Sequence, residues 1–323
     1  MAVLVGIDEA GYGPTLGPLV VSAVVLRVAD DRLHTCLWKL LAESCTRKVS
    51  ASKRRLPIAD SKRLYRSGDG VAGLELLERS ALVMLAAAGH RVTTSSELLR
   101  LVAPHVLSET SRYPWYAGAD LALPVSPDVG GLATRGNAVR RNLANQAVCF
   151  AHVFCEPLLE GDFNELVRKT QNKANVLLSL VHRLLDRVLH SSPDANVRIC
   201  VDRLGGRIQY REMLTAAFDG HDLRIDEESD IRSAYRLVNS TRRYEVEFVT
   251  NGETFHFPIA LASIYSKYLR EVYMRRFNDF WLSRQSNLRP TAGYHSDAKR
   301  WLREAKPLLD RLGVDRNLLV RDR

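Results

Sequence analysis

The hydrophobic pattern opens with an apolar run, Val3–Ile7, that stops on two adjacent carboxylates, Asp8 and Glu9. A second apolar run, Leu19–Leu26, follows after a stretch holding three glycines and two prolines. Both runs predict neighbouring core strands. Arg32–Ala42 predicts a helix. Gly70–Ala88 predicts a longer one, with Leu74, Leu77, Ala81, Leu82 and Leu85 at helical spacing. Arg112–Gly136 holds three prolines, four glycines and three aromatics, and predicts loop or insertion. Asn137–Leu159 and Phe163–His190 read as long amphipathic helices. Val197–Val201 reads as a short buried strand that ends on Asp202. Tyr244–Val249 and Thr254–Ile259 alternate around Asn251-Gly252 and predict a hairpin. Ala260–Trp281 and Asp297–Leu309 predict helices on either side of a break at Pro290–Gly293. Strands near the start and again late, with long helices between them, predict a mixed α/β sheet with helices on its faces.

Composition changes this picture little. At 323 residues the chain is long enough for one large domain with insertions. Residues 1–263 are expected to form the core, with an insertion over 91–160, and residues 264–323 a basic helical region that completes the site. The apolar runs are too short to span a bilayer. The N-terminus meets Asp8 before a signal-peptide core could form, so a cytoplasmic location and no membrane partner are expected. Cys36, Cys45, Cys149, Cys155 and Cys200 form no CxxC pair and read as buried small hydrophobes. The nine histidines form no HExxH pattern.

Charge changes it more. There are 46 Lys and Arg against 37 Asp and Glu, a net +9. Residues 264–323 hold 14 basic and 7 acidic residues, and residues 47–66 hold 8 basic residues against Asp60 alone. Two basic islands on a net acidic remainder suggest a polyanion footprint, with solvated helix faces as the plainer reading.

The candidate chemistry lies in carboxylates. Asp8 and Asp202 each close an apolar strand, and strand ends in α/β sheets are where sites form. Glu9 adjoins Asp8, and the glycines after it allow the chain to bend so that both acids serve one site. On a helix, Ser263, Lys267 and Glu271 share one face; a surface ion pair between the last two is the plainer reading. Several carboxylates without His or Cys partners suit hard cations such as Mg²⁺ or Mn²⁺. Gly11, Gly13 and Gly17 do not spell GxGxxG, and no P-loop lysine follows.

The ordered motifs resemble type 2 ribonucleases H (RNase HII/HIII). "GIDEAGYGPTLGPLVVSAVV" is similar to that family's DEAGRGPxxGPVV opening, "IADSKRL" to DSKxL, and "VRICVD" to its second catalytic strand. "IALASIYSKYLRE" is similar to IAAASIxAKVxRD, and "AGYHSDAK" to GYxTxxH. The resemblance implies an RNase H-like fold. It also implies hydrolysis of RNA in RNA/DNA hybrids, or at ribonucleotides in duplex DNA, leaving a 5′-phosphate and a 3′-hydroxyl. By motif it implies two Mg²⁺ or Mn²⁺ ions held by Asp8, Glu9, Asp202 and Glu271, with Asp8 bridging both. It implies that Gly11, Tyr12 and Gly13 read the ribose through backbone, that Tyr294 packs beside that ribose, and that Ser61, Lys62 and Lys267 hold phosphates. The partner implied is nucleic acid; nothing in the sequence decides the oligomeric state, and a monomer is the default expectation. The chain departs from the pattern at Tyr12 (Arg or Lys in the family), Ser296 (Thr), Lys299 (His) and the missing KGD segment. A nuclease of this fold with a shifted substrate, or a binder without catalysis, are the alternatives. Tyr113, Trp115 and Tyr116 are expected to cover an apolar face, or else to stack on bases.

Overall fold

A computed structural model describes residues 1–49, 54–66, 70–118, 120–191 and 196–322. Among them, seven strands form one mixed sheet. These are β1 (Ala2–Ala10), β2 (Leu19–Val28), β3 (Val148–Leu158), β4 (Asn196–Asp202), β5 (Asp222–Glu228), β6 (Arg232–Val238) and β7 (Arg243–Val249). Their spatial order is β3-β2-β1-β4-β7-β6-β5. The central strands β1, β4 and β7 are parallel, and antiparallel strands extend the sheet on both sides. β1 and β2 read as unbroken apolar runs because both of their faces are covered.

The helices that matter here are α1 (Ser61–Leu64), α2 (Glu75–Ala87), α3 (Leu132–Asn145), α4 (Glu160–Thr170), α5 (Lys173–Ser191), α6 (Gly252–Phe255), α7 (Phe257–Leu282), α8 (His295–Leu312) and α9 (Arg316–Leu319). α7 packs across β1 and β2 on one face. It is buried nearly all round from Phe257 to Met274, as befits a helix inside a large core. Its closest approach is at Gly6, where a Cβ would lie 2.0 Å from the carbonyl carbon of Pro258. Only glycine lets helix backbone and sheet backbone meet there. On the other face, Leu177, Leu180, Val181, Leu184 and Val188 of α5, which packs over β2 and β3, share one buried apolar cluster with Val3, Val5 and Ile7 of β1. The mixed sheet flanked by helices is the architecture that the sequence predicts.

Several elements differ from expectation. The segment read as one helix, Asn137–Leu159, is α3 followed by β3. The chain turns at Ala147, with φ at 50°, and then pairs antiparallel with β2. Val148, Phe150 and Val153 are buried while Cys149 and His152 are exposed, an alternation that marks a strand. Phe163–His190 is interrupted at Gln171, where φ is also positive, and divides into α4 and α5. Asn251-Gly252 does not turn a hairpin, because Gly252–Phe255 is helical and α7 begins at Phe257. Strands β5 and β6 have no counterpart in the sequence reading; their faces are too charged to stand out. Within Arg32–Ala42 the helix is confined to Leu37–Leu40, with a 3₁₀ turn, Asp30–Arg32, at its start. The aromatics Tyr113, Trp115 and Tyr116 are buried against α7, with Tyr116 edge-on to Tyr273 and Trp115 beside Trp281. Lys53, part of the first basic island, lies outside the described residues.

Candidate active site

The parallel register of β1 and β4 aligns Ile7 with Val201, so the next residues, Asp8 and Asp202, leave the sheet side by side. Both point toward the α7 face, as do Gly6 and Cys200. Glu9, still within β1, brings its carboxylate to the same place. Carboxylate oxygens of Asp8, Glu9 and Asp202 all lie within 4.8 Å of one another. Neighbouring elements hold these acids through backbone. The Glu9 amide donates to Asp8 Oδ1 at 2.7 Å, and the Gly252 amide donates to Asp202 Oδ1 at 2.7 Å. Ser266 of α7 donates to the Asp8 carbonyl at 2.9 Å.

Burial first, then the charges of Glu9 and Asp202, push the Asp8 carboxyl well above its ordinary range. Glu9 is pushed up to about 7, mainly by burial. Asp202 is also pushed up to about 7, by burial and then by Glu253 and Glu9, against the opposing Gly252 amide. Three desolvated acids with mutually repelling charges favour protons or a cation. Glu9 Oε2 is buried and has no hydrogen-bond partner among the described residues. An all-oxygen donor set with an orphaned oxygen fits a hard divalent ion.

A cavity of about 410 Å³ opens beside these acids. Its lining includes Glu9, Gly11, Tyr12, Gly13, Ser61, Lys62, Lys267, Glu271 and Tyr294. Nine of the eleven residues that the sequence singles out therefore line one cavity, and the other two, Asp8 and Asp202, adjoin it. Ser61 and Lys62 reach it because Asp60 caps α1, accepting from the Lys62 amide at 2.9 Å. Burial would lower the Lys62 ammonium, but Asp60, Glu253, Asp8 and Asp202 together raise it. Ser263 of α7 donates to Ser61 Oγ at 2.9 Å.

Glu271 stands apart from the three-acid cluster. Its Oε1 accepts from Lys267 Nζ at 2.7 Å and from Arg270 at 3.3 Å. Lys267 and Arg270 are buried cations, so this is a desolvated ion triad and not the weak surface pair that its helical spacing alone would suggest.

Some participants have no signal in the sequence reading. Glu253, on α6, lies within hydrogen-bonding reach of Asp202 and raises it. Reading this segment as a hairpin hid it. Glu160, fully buried on α4, accepts from the Gly17 amide at 3.0 Å and from Tyr116 Oη at 2.8 Å. Thr15 and Leu16 donate their amides to the Gly293 carbonyl at 2.9 and 3.1 Å. The bare loop after Glu9 is thus tied down by residues far away in sequence.

The fold and site together define a mixed α/β protein with an acidic cluster at the carboxyl ends of two adjacent parallel strands. No known family model matches the chain, and no curated protein does. The solved structures that it is similar to are type 2 ribonucleases H. Bst-RNase HIII in complex with Mn2+ is 17% identical, with a TM-score of 0.44 over 94% of this chain and 62% of that one. The RNase HII of the PCNA:RNase HII complex from Archaeoglobus fulgidus is 16% identical, with a TM-score of 0.44 over 99% and 94%. Ribonuclease H2 from Pyrococcus horikoshii OT3 is 13% identical, with a TM-score of 0.41 over 98% and 92%. The chain spans about three fifths of the length of Bst-RNase HIII.

Proposed function

We propose that the chain is a metal-dependent endonuclease that hydrolyses the RNA strand of RNA/DNA hybrids, or cuts at ribonucleotides in duplex DNA. One observation carries the reading. The β1–β4 register sets Asp8 beside Asp202, with Glu9 joining them, at the mouth of a cavity lined by the glycine loop and by lysines. The ordered sequence motifs point the same way.

Asp8, Glu9 and Asp202 would hold Mg²⁺ or Mn²⁺, with Glu271 as the further carboxylate. Divalent ions bound there supply Lewis-acid charge at the scissile phosphate and a water of lowered pKa. The chain's own groups do the rest. Lys62, Ser61 and Lys267 offer donors and positive charge to phosphate oxygens. The Gly11–Gly13 backbone and the half-exposed ring of Tyr294 flank the ribose, whose 2′-hydroxyl separates RNA from DNA. Lys267 and Arg270 pair with the Glu271 carboxylate on α7.

Labelled RNA/DNA hybrid, a single-ribonucleotide duplex, all-DNA duplex and all-RNA duplex, each incubated with Mg²⁺ or Mn²⁺, test the reading. Cleavage only of the RNA/DNA hybrid or of the single-ribonucleotide duplex is expected. Cleavage of all-DNA would instead favour a nuclease with a shifted substrate, a reading that the tyrosine at position 12 keeps open. Binding without cleavage under either metal would make the chain a binder.

A further inference from the structure

Position 12 carries no cation, and the Tyr12 ring packs against the apolar cluster on the α5 face of the sheet. A cation nonetheless reaches the same loop from the far end of the sequence. Arg321, 3% exposed, donates through one Nη to the Gly11 carbonyl and through the other to the Tyr12 carbonyl at 3.0 Å. Its backbone amide donates to the Thr15 carbonyl at 2.9 Å. The guanidinium lies 3.9 Å from the ring centroid of Phe163 on α4. Its segment is anchored in turn. Asn164 donates to the carbonyls of Asn317 and Val320 at 2.9 and 2.7 Å, and accepts from the Asp322 amide at 2.6 Å.

A trans peptide points its C=O and the following N–H in opposite directions. With the carbonyls of Gly11 and Tyr12 both directed at Arg321, the amides of Tyr12 and Gly13 are turned away from it. Neither amide has a partner among the described residues. Gly11, Tyr12 and Gly13 line the cavity with Lys267, Glu271 and Tyr294. A cation bound to the carbonyl side of a peptide also polarises it, which strengthens the N–H as a donor.

We propose that Arg321 is a positioning residue, which presents the Tyr12 and Gly13 amides as a paired donor for the ribose 2′-hydroxyl oxygen of the substrate. The inference rests on the nuclease reading above. It transfers to a remote arginine the task of orienting the loop, which the sequence pattern alone would look for at position 12.

The test uses the full chain with Ca²⁺ in place of Mg²⁺, so that affinity is read without turnover. Kd is measured for a single-ribonucleotide duplex and for the matching all-DNA duplex, beside thermal melting of each variant. Arg321→Met is expected to lower the preference for the ribonucleotide duplex about tenfold, with all-DNA affinity unchanged. Arg321→Lys, which keeps the charge but cannot fork across two carbonyls, is expected to fall between. An equal loss on both duplexes would place the amides on a phosphate oxygen and overturn the ribose assignment. A Met variant as selective as the parent overturns the inference while leaving the nuclease reading intact. A parent chain that neither binds nor cleaves either duplex overturns the nuclease reading instead. If Arg321→Met does not fold, Arg321→Lys decides; failure of both to fold would make Arg321 a residue of the fold alone and overturn its positioning role.

Discussion

At Asp8 a carboxyl is buried beside two others, with the Glu9 amide donating to its Oδ1. Such a group resists ionisation, and the fold that holds it loses stability when it must ionise. Asp8→Asn is therefore expected to do two opposite things. Cleavage should fall to background, while hybrid affinity stays largely intact. The metal-free protein at about pH 8 should melt higher, by about 2 °C if the relief is near 1 kcal/mol. Melting curves and a labelled-hybrid assay check both halves; substantial residual cleavage would refute the role of Asp8. The same shifts set a pH dependence. Glu9 and Asp202 have folded-state values of about 7, above their ordinary range. Their protonated forms favour the folded state, so this contribution is full below about pH 4 and fades as pH rises through about 7. Added Mn²⁺ should consequently raise the melting temperature more at about pH 8 than at about pH 5. An equal gain at both pH values would remove these acids as its ligands.

The short element α6 shows what a pattern of residue types leaves undecided. Asn-Gly between alternating segments is the commonest hairpin signal, yet here Asn251 adopts the left-handed conformation to start a helix. Gly252 is required by proximity. A Cβ there would stand 2.6 Å from Ile259 Cδ1 and 3.3 Å from Asp202 Oδ1. Gly252→Ala should push α6 off the acid it orients, and lower kcat by roughly a hundredfold with little change in substrate Kd. Single-turnover kinetics would reveal it; an unchanged kcat would mean that the backbone contact is idle. The acids at strand ends were legible because Asp8 and Asp202 each interrupt an otherwise apolar run. β3 was misassigned to a helix although its buried and exposed residues alternate. Glu160, Glu253 and Arg321 were not legible, because nothing local distinguishes a buried charged residue from a surface one. Their importance appears only once distant elements are brought together.

Across the whole molecule, the two basic islands prove unequal. In the C-terminal one, Lys267 and Arg270 hold Glu271, Arg275 pairs with Asp279, and Arg300 bridges Asp297 and Glu304. Arg289 and Lys306 also have acidic partners, and Arg321 is buried. Lys267, Arg270 and Arg321 are internal, whereas Arg275, Arg289 and Lys306 stay exposed in their pairs; in the first island, Lys62 lines the cavity. Hybrid affinity should drop steeply with salt, and Lys62→Ala should reduce the slope of log K against log salt by about 1. A slope unchanged by that substitution would move the footprint elsewhere. The topology itself has a temporal side. The glycine loop lies at residues 11–17, its acids at 8, 9 and 202, its flanking tyrosine at 294 and its clamp at 321. A ribosome adds these parts in order, with the clamp following the loop by some three hundred residues. A polypeptide interrupted between Asp202 and Arg321 would carry the three clustered acids and yet lack the contact that aims the loop. On the proposed reading, the preference for ribose would be the last property of the site to be completed in synthesis.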